Sequence, residues 1–184
     1  MNGMDNAPLF DSAASAVKFA LRYSAMAAYP QGALSHAVQR TAIGRGKGLV
    51  GMSGAAQAGM VQAALARLSG DQLAVLQLRF GRVEVDCPEC RQPVPVKAWR
   101  EAAAVVGRWP ELADLPGPIR SELIDSQVVG RRLDLSEDDC SDGPSLRTLQ
   151  RLAREVRRRM TELENAALET LEAGLQQSGL VMPT

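Results

Sequence analysis

From Pro144 onward the chain carries an apolar stripe that only one long helix can gather onto a face. Leu149, Leu152, Val156, Met160, Leu163, Ala167, Leu171 and Leu175 follow the 3,4 spacing, which at about 100° per residue keeps them together. Gly143 and Pro144 ahead of Ser145 supply a start signal, so the spacing predicts a terminal helix of up to about 30 residues. Alanine and leucine dominate the rest of the sequence and aromatics make up only 4%. That leaves little β-branched and aromatic material for a large sheet. The expected class is mainly α, a helical bundle.

The opposite side of the same helix is basic. Arg147, Arg151, Arg154 and Arg158 share a face, and Arg157 belongs to the run Arg157-Arg158-Arg159. Only Glu162 follows that run at i+3 or i+4, so pairing within the helix neutralises little of it. Ser145, Thr148 and Gln150 lie between the arginines and are short enough to reach base edges. The first turns of a recognition helix are the part that enters a major groove. The helix therefore reads as the DNA-contacting part of a helix-turn-helix-like element, against the plainer reading of a solvated amphipathic face.

Net charge is zero, which argues against an indiscriminate nucleic-acid binder, but it is unevenly spread. Residues 1–110 carry 12 Lys and Arg against 7 Asp and Glu, and residues 111–184 carry 9 against 14. Asp134, Glu137, Asp138, Asp139 and Asp142 precede the basic helix, and Glu162, Glu164, Glu169 and Glu172 follow it. The positive field is confined to a short surface, which implies few phosphate contacts and a shallow salt dependence.

Upstream, helical periodicity runs over residues 11–29 and ends at Pro30 and Gly32, with a short helical segment near Leu34 to Arg40. Ser53 can cap a helix reaching about Ser69, and Asp71 can cap the next, through Leu73, Leu76 and Phe80 to Gly81. The Ser-Gly-Asp turn between them suggests an antiparallel helical pair. Residues 97–106 and 119–130 complete the helices, with a Pro-rich break between Trp109 and Pro118. The expected organisation is a flexible terminus over 1–10, an N-terminal helical region over 11–81, a ribbon over 82–96 and a C-terminal helical region over 97–184.

In that ribbon, alternating valines flank Cys87-Pro88-Glu89-Cys90. This spacing lets two thiolates grip one tetrahedral metal from a tight turn, but a structural zinc needs four ligands. Cys140 and His36 are the other candidates, so a three-cysteine-plus-histidine site and a dimeric site with two cysteines per chain both stay open, beside a plain ribbon turn and a redox pair. The cofactor reading is accordingly none or zinc. Three cysteines do not make a disulfide framework.

Enzymatic chemistry has little support. The loop Gly44 to Gly51, with Arg45 and Lys47, fails the P-loop pattern at Thr41 and Gly48. Its GxGxxG match at Gly46, Gly48 and Gly51 lacks the preceding strand that a dinucleotide site needs. Arg45 and Lys47 are left as a secondary nucleic-acid contact. His36 among Leu34, Ser35, Ala37 and Val38 reads as a packed or solvated side chain, and no nucleophile, base and orienter come together. The amino terminus MNGMDNAPLF has neither the basic start nor the apolar core of a signal peptide, and no apolar run reaches the roughly 18 residues of a membrane span. A reducing cytoplasm is the expected compartment.

Taken in order, AVKFALRYS, GKGLVGMSGAAQAGMVQAALARLS, CPEC, KAWREAAAVV and SLRTLQRLAREVRRRMTELENAALETLEAGLQQSGLV resemble the antitermination proteins Q of lambdoid bacteriophages, over roughly residues 15–181. The resemblance implies a helical, non-enzymatic protein in the host cytoplasm. Its helix-turn-helix would contact double-stranded late-promoter DNA while another surface engages bacterial RNA polymerase with its sigma factor, and the loaded complex would read through terminators. It assigns Cys87 and Cys90 to a zinc knuckle and Ser145 to Arg158 to the DNA-reading helix. Relatives that bind zinc supply a second cysteine pair, and Arg91 to Trp99 contains none. VLQLRFG, Val75 to Gly81, is also similar to the helix before the helix-turn-helix of sigma factor region 4. A helix-turn-helix repressor or activator, and a helical interaction protein that binds no DNA, are the alternatives, and a homodimer is left open.

Overall fold

The computed structural model describes residues 9–27, 54–87, 89–130, 133 and 144–182. The segment Leu34 to Arg40 with His36, the basic loop with Arg45 and Lys47, the Ser53 cap, the acidic turn and Cys140 lie outside them. The described part is mainly helical with one small sheet: α1 Ala13–Ala27, α2 Gly54–Leu65, α3 Gly70–Phe80, β1 Glu84–Asp86, β2 Pro93–Pro95, α4 Lys97–Val106, α5 Gly117–Val129 and α6 Leu146–Gln177.

α6 is the spine. Its 32 residues reach about 48 Å at 1.5 Å per residue, and one apolar face serves two cores in succession. Leu149, Ala153, Val156 and Met160 pack with Val75 and Leu78 of α3, Ala102 and Val106 of α4, and Leu123 and Ile124 of α5. Ala167, Leu171 and Leu175 pack with Val17 and Leu21 of α1, Val61 and Leu65 of α2, and Leu76 of α3. α3 thus also contributes to both cores. Burying a leucine or valine side chain is worth about 1.5–3 kcal/mol, so both halves of α6 are firmly held.

The end of the chain closes on its beginning. The Phe10 N–H donates to the Leu180 carbonyl at 2.9 Å, and Leu9, Leu180 and Val181 are buried with α1 and α6. Leu9 and Phe10, expected in a flexible terminus, are therefore anchored. Ser12 and Ser15 then start α1, the Ser15 N–H donating to Ser12 Oγ at 3.2 Å.

Two local expectations are corrected. α3 is capped by Ser69 and not by Asp71: Ser69 Oγ accepts from the Gln72 N–H while Gln72 Oε1 accepts from the Ser69 N–H, a reciprocal capping box. Because Ser69 serves α3, α2 ends at Leu65 instead of reaching Ser69. The expected α2–α3 antiparallel pair does not dominate the packing either. α2 lies mainly on α1, and α3 mainly on α4 and α6, since the apolar residues of α3 are divided between the two cores.

The ribbon pairs antiparallel, Glu84 with Pro95, Val85 with Val94 and Asp86 with Pro93. Prolines are tolerated because a two-stranded ribbon has free edges. Val85 and Val96 pack with Ala25 of α1, tying its base to the bundle. The Pro-rich break is a buried corner, with Trp109, Leu112 and Leu115 in the core. α5 stops at Gly130, whose φ of 73° is a left-handed conformation suited to glycine. No helix among the described residues is long and apolar enough to cross a membrane.

Candidate nucleic-acid interface

Ser145 begins α6 with φ −58° and ψ 151°, and its Oγ accepts from the Thr148 N–H at 3.3 Å. It also shares a 3.0 Å hydrogen bond with Thr148 Oγ1. The two hydroxyls expected to approach bases are thus engaged with each other in capping the helix. Gln150 is exposed, and its carbonyl accepts from Arg154 Nε at 3.2 Å.

Arg147, Arg151, Arg154 and Arg158 are all exposed. At about 100° per residue, the last three lie roughly 40°, −20° and 20° around the axis from Arg147, and the stripe extends about 16 Å along it. Because Leu149, Ala153, Val156 and Met160 are buried on the other side, the helix cannot rotate to hide these arginines without opening a core. Arg158 also pairs with Glu162 at 2.9 Å, with side chains 66% and 60% exposed. That exposed i,i+4 pair is worth only a few tenths of a kcal/mol, so a phosphate can displace the carboxylate. Glu155, exposed four residues after Arg151, flanks the stripe with Glu162 and narrows the positive field.

The three-arginine run divides three ways. Arg158 points outward with the stripe. Arg157, expected at the DNA, donates Nε to Gln127 Oε1 at 2.8 Å, and Gln127 is buried in α5. Its carbonyl accepts from Arg79 at 2.9 Å, so Arg157 joins a polar tie between α3, α5 and α6. Arg159 turns inward. It donates to both carboxylate oxygens of Glu111 at 3.0 and 2.9 Å, lies 3.7 Å from Asp71 and sits 4.3 Å from the centre of the Trp109 ring. Trp109 Nε1 in turn donates to Asp71 at 3.1 Å. Spacing along one helix could not reveal this clamp, because both carboxylates come from other parts of the chain.

The cysteine turn sits apart, at the ribbon tip. The Cys87 N–H donates to the Gln92 carbonyl at 2.8 Å and the Arg91 N–H to the Cys87 carbonyl at 2.9 Å. Cys87 is half-buried and Cys90 exposed, both free thiols. Backbone N–H groups of Cys90 and Glu89, with the Cys90 thiol, hold the Cys87 thiol below its ordinary pKa. A structural zinc needs four ligands, of which this turn could offer at most two. Among the described residues no group of three or more His, Cys, Asp and Glu is placed to hold a metal, and Cys140 and His36 fall outside them.

A cleft of about 770 Å³, not signalled by the sequence, opens between α1, α2, α3 and α4, with Leu21, Ala25, Leu73, Ala74 and Ala102 on its walls. Its rim carries the exposed Lys97–Glu101 pair, 3.5 Å apart. No protein-family model, curated protein or solved structure matches the chain.

Proposed function

We propose that the protein is a non-enzymatic transcription factor that meets double-stranded DNA through the α6 arginine stripe and acts with bacterial RNA polymerase as a phage antiterminator of the Q type. One observation carries the DNA reading: four arginines stand exposed along a helix whose opposite face is locked into a core. Stripe length supports a phosphate contact, since about 16 Å of helix axis matches several phosphates at about 3.4 Å per strand step. With Ser145 and Thr148 engaged in the cap, base choice falls to Arg147, Arg151 and Gln150 near the first turns. The described helix before α6 ends at Val129, so a helix-turn-helix form for this contact belongs to the proposal. The polymerase and antitermination parts rest on the resemblance.

Transcription from a late promoter of the cognate phage, with purified protein and holoenzyme, tests this reading. It expects increased terminator readthrough, abolished by Arg151→Ala with Arg154→Ala. Unchanged readthrough overturns the antitermination role. Promoter binding without attachment to the elongation complex would instead identify a repressor or activator. No binding to DNA at low salt would leave α6 as a protein-interaction helix.

A further inference from the structure

Small side chains hold the cleft between α1, α2, α3 and α4 open. α1 and α4 both lie on α3, and Ala25, Ala74, Ala98 and Ala102 border the space between them. Alanines fill too little of it to bring the walls together. One end is closed where Ala25 of α1 meets Val96 at the base of the ribbon. The volume of about 770 Å³ is that of a small-molecule pocket, a type of site that combines apolar walls with a few polar groups. Leu73, on the same wall as Ala74, is left 36% exposed.

The polar groups on the walls are not all satisfied. Gln62 Nε2 donates to Ser24 Oγ at 3.0 Å and to the Ala20 carbonyl at 3.3 Å, and Lys97 pairs with Glu101. Gln77 differs. It borders the cleft and is only 8% exposed, yet its side-chain amide makes no hydrogen bond among the described residues. Gly81 gives that amide its place, since a Cβ there would run into Gln77 Nε2. A buried amide without a partner is costly and uncommon in a folded chain. We propose that the cleft binds an apolar small molecule carrying a cyclic amide, which pairs with the Gln77 side chain. A glutamine amide presents N–H donors beside a carbonyl acceptor, and a cyclic amide holds its own C=O and N–H on one side, so both hydrogen bonds form together. Open-chain peptide groups are trans and offer the same amide one bond at a time, which favours a small ring over a peptide segment. Contact of the ring system with Leu73 and the alanines adds apolar burial. The inference does not depend on the DNA reading.

Carbostyril, a fused-ring cyclic amide, is the probe, titrated into the isotope-labelled full-length chain and followed by proton–nitrogen NMR. The expected result is a saturable shift of the Gln77 side-chain NH₂ signals, which are identified by their loss in Gln77→Met. N-methylcarbostyril, which lacks the N–H, should bind at least about fivefold more weakly, the worth of one net hydrogen bond. Gln77→Met should weaken carbostyril by at least as much while its Tm does not fall, because the amide it removes has no partner in the chain. Leu73→Asp places a charge on the apolar wall at an exposed position, so it should keep the fold and also weaken carbostyril. Absence of a saturable shift at Gln77, equal affinity for the two probes, or full affinity in either variant would each overturn the proposal. A lower Tm for Gln77→Met would overturn it too, by assigning the amide to the fold.

Discussion

Replacing Arg159 by alanine should damage the fold while leaving the exposed arginine stripe in place, although Arg159 adjoins Arg158 in sequence. Its guanidinium holds both oxygens of Glu111 and covers the Trp109 ring, and the two paired side chains are 30% and 19% exposed. Truncation leaves the Glu111 carboxylate mostly buried and without its cation. An exposed pair is worth about 0–1 kcal/mol, and breaking a fully buried one from one side costs about 3–5 kcal/mol. The partial burial here places the loss between those limits, and the ring contact adds about 0.5–1 kcal/mol. The combined expectation is about 2–3 kcal/mol. In a chain of this length each kcal/mol moves Tm by about 2–4 °C, so the shift should be roughly 4–12 °C. Urea unfolding followed by far-UV circular dichroism measures the free-energy loss and thermal unfolding the shift in Tm, with Arg158→Ala as comparison. Arg158 makes only an exposed i,i+4 pair, so its removal should stay within about 0.5 kcal/mol of wild type while weakening DNA binding. Equal stabilities for the two variants would refute the division of the arginine run into inward and outward members.

Met160, fully buried in the core shared by α3 to α6, should lose about 2–5 kcal/mol on change to alanine, read in the same urea titration. Ser145→Ala removes the α6 cap and should cost about 1 kcal/mol. Its DNA affinity, measured by fluorescence anisotropy well below Tm, should stay within twofold of wild type, and a larger fall would return Ser145 to the base-reading residues. In metal-free, reduced protein the lowered pKa of Cys87 means more thiolate at a given pH. Its alkylation, followed by peptide mass spectrometry, should therefore rise at lower pH than that of an ordinary thiol, and a rise at the ordinary pH would contradict the N–H···S arrangement.

What the sequence made legible was local. The α6 stripe, the Lys97–Val106 helix and the valine-flanked ribbon each declare themselves within a few turns or pairs, and all three form as read. Errors arose where two neighbouring signals competed or where partners were distant. Ser69 and Asp71 are both good caps, and Ser69 prevails because Gln72 completes its box while Asp71 accepts from Trp109. The α2–α3 turn permitted a hairpin, but the division of the α3 apolar residues between two cores sent the helices to different partners. At the candidate interface, helical phase was sufficient to find Arg147, Arg151, Arg154 and Arg158. It could not exclude Arg157, because the buried Gln127 that engages it lies 30 positions upstream.

The central claim is that the outward arginines of α6 hold DNA phosphates, and the salt dependence of binding to a late-promoter duplex tests it most directly. Three or four phosphate contacts, depending on whether Arg158 leaves Glu162, predict a slope of log K against log salt of about −2.7 to −3.6. Arg151→Ala with Arg154→Ala should make it shallower by about 1.8 with unfolding unchanged, because both side chains are exposed. A wild-type protein that does not bind the duplex, or a double variant whose slope equals that of wild type, would contradict the account.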